Sequence, residues 1–93
     1  MTVLEFWPDY GPGPLWTQDG QPVDLASLGL GRRLTEEVEA WHAGYTEDKV
    51  PCEGPGDRVW LSQGKGLLGQ IRAELGDHYQ VTVTEPWWDE EPT

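Results

Sequence analysis

Apolar residues recur along this chain in two rhythms, and the longest run of either lies between Asp57 and Leu75. Trp60, Gly64, Leu67, Leu68, Ile71 and Leu75 fall at helical spacing, which lays one stripe along a helix and predicts that the stripe faces a core. Asp57 supplies a carboxylate to cap the first free amides, and Gly76 can take the left-handed backbone just past the last turn. Such a helix would run about 28 Å, enough to span a small domain. A second stripe, Leu34, Val38, Trp41 and Tyr45, steps by four, three and four and predicts a helix over Arg32–Tyr45. Glu36, Glu37 and Glu39 lie off that stripe in the early turns, where the helix dipole favours negative charge.

Alternation with period two marks the strands. Tyr79, Val81 and Val83 alternate with Gln80, Thr82 and Thr84, so the stretch from Tyr79 to Glu85 reads as a strand with one buried and one wet face, closed by Pro86. Thr2 to Trp7 reads as a first strand, with Leu4 and Phe6 on one face and Val3, Glu5 and Trp7 on the other. Leu15 to Thr17 forms a short second strand that closes on a turn at Gln18-Asp19-Gly20. Pro8 to Pro14 and Thr46 to Gly56 are loops by their proline and glycine content. Pro22 to Leu28 makes one or two helical turns, capped by Asp24 and ended by Gly29.

The order of elements predicts an α+β fold: a two-layer small domain whose two- to three-stranded sheet is covered on one face by two main helices. If the first and last strands pair in parallel, the helices between them form a right-handed crossover; antiparallel pairing is left open. Residues 1–93 read as one domain with an acidic tail from about residue 87.

Composition adds weight to a folded chain. Only 37% of the residues are apolar, but six Trp, three Tyr and one Phe are among them, and each buried aromatic removes about 150–250 Å² from water. Charge narrows the partners. Seventeen acidic against six basic residues give a net charge of −11, which repels nucleic acid and anionic membrane surfaces. The asymmetry is local. Glu5, Asp9, Asp19 and Asp24 precede residue 32 with no base among them, and Asp77, Glu85, Asp89, Glu90 and Glu91 follow residue 76 in the same way. The segment between holds eight acids and six bases. With terminal strands in parallel, Trp7, Asp9 and Tyr10 leave the sheet at the same edge as Glu85, Trp87, Trp88, Asp89 and Glu90. These eight residues are the expected partner-binding surface, where aromatics supply contact area and carboxylates steer a basic protein.

Motifs for chemistry fail on context. Gly64-Lys65-Gly66-Leu67-Leu68-Gly69 spells the glycine pattern of a dinucleotide site, but it lies inside a helical stripe with no strand before it. Gly66 also stands where a phosphate loop needs Ser or Thr. Gly64, on the apolar stripe, reads as a packing position. Cys52, His42 and His78 are too dispersed for a thiol nucleophile with its base or for a zinc site, and Asp89-Glu90-Glu91 lacks the spacing of a calcium loop. No cofactor or metal is expected, and the chain reads as non-catalytic. One cysteine excludes an internal disulfide and suits a reducing compartment. The N-terminal residues lack a basic region followed by an apolar run, and no window approaches 18 apolar residues. A cytoplasmic location is the expectation.

The stretch PLWTQDGQPVDLASLGLGRRLTEEVEAW resembles a pattern found in small, uncharacterised acidic actinobacterial proteins, through Leu15, Trp16, Gly20, Leu28, Leu30, Leu34, Val38 and Trp41. Gly31 departs from it, standing where such sequences often carry a serine cap. In size and acidity the chain is also similar to bacterial immunity proteins, which neutralise toxins. The similarity implies an acidic protein-binding domain that inhibits a basic toxin or nuclease. The alternative is a small structural or assembly subunit that forms a homodimer through its sheet or its tryptophans.

Overall fold

β1 (Thr2–Phe6) is hydrogen-bonded on both sides, and this decides the topology. β2 (Leu15–Thr17) pairs with it antiparallel, Phe6 opposite Leu15, while β3 (Tyr79–Val83) pairs with it in parallel, from Thr2 opposite Tyr79 to Phe6 opposite Val83. The sheet order is β2-β1-β3. The chain's first and last strands are therefore neighbours, and α1 (Arg32–Ala43) and α2 (Arg58–Leu75) lie in the connection between them. These features are read from a computed structural model that describes residues 1–92.

The alternation predicted for the strands is the alternation of burial. Leu4, Phe6, Val81 and Val83 are buried while Val3, Glu5 and Thr82 are only half-buried. The buried set joins Leu34 and Val38 of α1 and Leu68, Ile71 and Leu75 of α2 in one core, so the helices cover one face of the sheet. This α+β layering agrees with the sequence pattern.

Tryptophans lock the two helices together. Trp41 of α1 and Trp60 of α2 stack with ring centroids 4.2 Å apart, and each indole donates to the other residue's carbonyl oxygen, at 2.8 and 3.1 Å. Both buried indole N–H groups are thereby satisfied at no cost in packing. Gly64 makes the close approach feasible: a Cβ there would collide with Trp41 Cζ2 and stand 2.7 Å from Trp88 Cζ3. Gly66 and Gly69 have open space where their side chains would be. The glycine pattern in α2 is thus one packing position and two exposed ones, in the middle of an 18-residue helix.

Helix ends follow their capping residues. The Asp57 carboxylate accepts from the amides of Val59 and Trp60, both at 3.0 Å, and Asp24 caps the short 3₁₀ turn Leu25–Leu28, which Gly29 ends with φ +76°. α1 starts at Gly31 without a side-chain cap of its own; instead Glu74, near the end of α2, accepts from the Gly31 amide at 2.7 Å. Element ends depart from the sequence pattern by a few residues: β1 stops at Phe6, one short of Trp7. α1 stops at Ala43, short of Tyr45, because Gly44 turns the chain, and β3 stops at Val83. Gly76 has positive φ but ψ −135°, outside the left-handed helical region.

The largest difference concerns the chain's end. Pro86–Trp88 forms a 3₁₀ turn that delivers Trp88 into the core, 2% exposed, against Phe6, Trp41 and Trp60. What composition marked as the start of an acidic tail is a structural plug, with Thr93, at its far end, lying outside the described residues. Among the described residues, no helix is long and apolar enough to cross a membrane.

Candidate partner-binding surface

Parallel pairing of β1 with β3 puts Phe6 beside Val83, so the segments that follow these residues leave the sheet at one edge. On the β1 side, Trp7 is half-buried and lies flat on Trp16, centroids 3.9 Å apart and planes within 1°. Trp16 Nε1 donates to the Trp7 carbonyl at 2.8 Å, and Trp7 Nε1 donates to Glu5 Oε1 at 3.3 Å. Asp9 is exposed, but its amide reaches inward and donates to His42 Nε2 at 3.1 Å. That acceptor role requires a neutral imidazole on Nε2. Burial pushes the His42 pKa below its ordinary value, against the opposing pull of the Asp9 carboxylate. Tyr10 follows, 55% exposed.

On the β3 side the expected residues have different fates. Glu85 is exposed and Trp87 half-buried. Trp88 was expected at the surface beside them and is instead one of the most deeply buried side chains, offering a partner nothing to touch. Among the described residues, its indole N–H has no hydrogen-bond partner. Asp89 accepts from Lys65 Nζ at 2.9 Å. Glu90 takes a two-pronged bond from Arg72, at 2.7 and 3.1 Å, while the same guanidinium donates to the Val81 carbonyl at 2.7 and 3.2 Å. Lys65 and Arg72 are two turns apart on α2, so the terminal carboxylates are clamped onto the helix and partly neutralised there. Among the described residues, no three His, Cys, Asp or Glu converge as metal ligands would.

A third stretch enters this surface that sequence pattern alone did not bring forward. The Tyr10 hydroxyl accepts from the Glu47 amide at 3.0 Å, and its ring meets Tyr45 edge to face, centroids 4.9 Å apart. Beyond Tyr45 the loop folds around an open groove of about 670 Å³ lined by Tyr45, Glu47, Asp48, Val50, Cys52, Glu53 and the turn at Gly54–Gly56. Lys49 is turned away from these acids, held to Asp57 at 3.2 Å. That contact adds to the helix-terminal amide of Trp60, the foremost influence holding the Asp57 carboxyl below its ordinary pKa. The Tyr45 hydroxyl is pushed up, first by burial and then by Tyr10, Asp9, Cys52 and Glu47 around it. One signal in the sequence pointed here: Glu47, Asp48 and Glu53 share their loop with a single lysine.

Comparison with known proteins adds one match. The family described as Serratia CdiI immunity protein-like is matched over residues 2–86, which takes in the whole sheet, both helices and the groove. No curated protein matches the chain.

Proposed function

The chain belongs to the Serratia CdiI immunity protein-like family, and from that premise we propose that it is an immunity protein, which binds a toxin protein and blocks it without catalysing a reaction. The family match carries this reading. The charge of −11 supports a toxin with a basic surface, such as a nuclease: opposite potentials speed the encounter and fix its orientation. The proposed contact face is the edge where β1 and β3 end, presenting Asp9, Tyr10 and Glu85 with the half-buried rings of Trp7 and Trp87. Trp7 is held rigid by its stack on Trp16, so little side-chain freedom remains to be lost when a partner covers it. Asp89 and Glu90 flank this face with their charge already shared with α2.

The test is protection in cells. The product of the adjacent gene, taken as the candidate toxin, is expressed alone and together with the chain, and growth is followed. Rescue by the chain, with a stable complex on gel filtration that weakens as salt rises, is the expected result. No rescue and no complex would remove the proposal.

A further inference from the structure

We propose that the groove between Tyr45 and Gly56 seats a lysine- or arginine-bearing loop of the toxin, and that this groove, more than the chain's acidic end, anchors the complex. The inference rests on the immunity reading above and names the part of the surface that does the holding.

The groove has what such a side chain needs. Its floor is apolar: Val50 is 3% exposed, and the faces of Tyr45 and Pro55 stand beside it. A long basic side chain can lay its methylenes on such a floor while its charged head reaches the rim. The rim is acidic. Glu47, Asp48 and Glu53 are all exposed, and among the described residues none of them is in an ion pair. Lys49, the base within the loop, is spent on Asp57. Asp48 is oriented by a hydrogen bond from the Thr46 hydroxyl. Tyr45 lines the same groove, packed edge to face with Tyr10, and brings an aromatic ring near an incoming cation.

Two other places compete and fall short. The groove between α1 and α2, about 480 Å³, is lined by Glu37, Ala40, Trp41, Gln63, Gly66 and Leu67; it offers one carboxylate, and Glu37 already accepts from Arg33 at 3.0 Å. At the chain's end, Asp89 and Glu90 hold Lys65 and Arg72, so an incoming cation would first have to displace an internal one. Charge complementarity therefore favours the 45–56 groove.

Binding of the candidate toxin, the product of the adjacent gene, measured by calorimetry over a range of salt, separates the outcomes. Three proteins are compared: the wild type, E47Q/D48N/E53Q at the groove, and E85Q/D89N/E90Q at the chain's end, each checked for its fold by circular dichroism. The groove variant is expected to bind about tenfold more weakly or worse and to lose much of the salt dependence, with the end variant within about threefold of wild type. Equal binding by the groove variant and the wild type would overturn the groove and leave the immunity reading standing. No binding by the wild type would overturn that reading and the groove with it.

Discussion

Residues 85–90 and residues 45–56 are built from similar ingredients, acids beside aromatic rings, and the fold puts them to opposite uses. At the chain's end, Trp88 is buried to 2% exposure, Asp89 is tied to Lys65, and Glu90 is tied to Arg72. In the loop, Tyr45 stays half-buried and Glu47, Asp48 and Glu53 face solvent. The difference lies in what stands opposite. α2 presents two cations on the turns that meet the chain's end, and Gly64 leaves a slot into which the Trp88 ring fits. The loop has only Lys49, which the Asp57 helix cap already holds. Acid and aromatic composition therefore does not separate a structural clamp from a binding surface. The supply of internal partners does.

Substitutions and pH press on this contrast. Trp88→Ala should cost about 3–5 kcal/mol in chemical denaturation, since it empties a site between Phe6, Trp41 and Trp60. A loss below 1 kcal/mol would return Trp88 to the surface and erase the contrast. Gly64→Ala comes next, at about 1–3 kcal/mol, because its methyl group meets two indole rings that cannot both retreat. Gly66→Ala, two residues on and open to solvent, should stabilise α2 by up to about 1 kcal/mol in the same assay. Equal effects at the two positions would contradict the packing role of Gly64.

Glu90→Gln should cost about 0.5–1 kcal/mol: the ion pair is partly exposed, which limits its worth, while Arg72 keeps its bonds to the Val81 carbonyl. Asp89→Asn, on a more exposed pair with Lys65, should cost less still. Finally, stability should fall as pH drops below about 6.5. The unfolded chain takes up a proton on His42 near that value, whereas the folded chain, which buries His42 as the acceptor of the Asp9 amide, resists it until lower pH. The contribution is complete above the unfolded pKa and is lost as pH falls through the lower folded one. Asp57, also depressed, loses its contribution at lower pH, as the pH falls through the ordinary carboxylate value near 3.8 toward its own lower one. Urea midpoints at pH 7.5 and 5.5 for the wild type and for His42→Gln measure this; an equal slope in both proteins would clear His42 of the role.

Much of the fold is legible in the residues because local rules and tertiary packing agree. Asp57, Asp24 and Gly29 end their elements where capping chemistry says they should. Leu4, Phe6, Val81 and Val83 are buried as their alternation implies. The parallel pairing of β1 and β3 was one of two open arrangements, since a strand's pattern states which face is buried and not which neighbour it takes. Trp88 was illegible for a different reason: it follows Pro86 in a short turn with no periodic neighbours, and only the Gly64 slot 24 residues earlier reveals its place. Lys65 and Arg72, seven apart on one helix, were a readable hint that the end carboxylates had partners. The groove has no periodic signature at all. It arises where Tyr10 closes on Tyr45 and Glu47 across 37 residues of sequence, and only the excess of acid over base in the loop foreshadows it.

The most direct test of the contrast between these two regions is amide hydrogen exchange on the free chain and on its complex with the candidate toxin, the product of the adjacent gene. The groove account predicts new protection at Tyr10 and through residues 45–56, with the clamped residues 88–90 exchanging as they do in the free chain. Protection at 88–90 with 45–56 unchanged would contradict it.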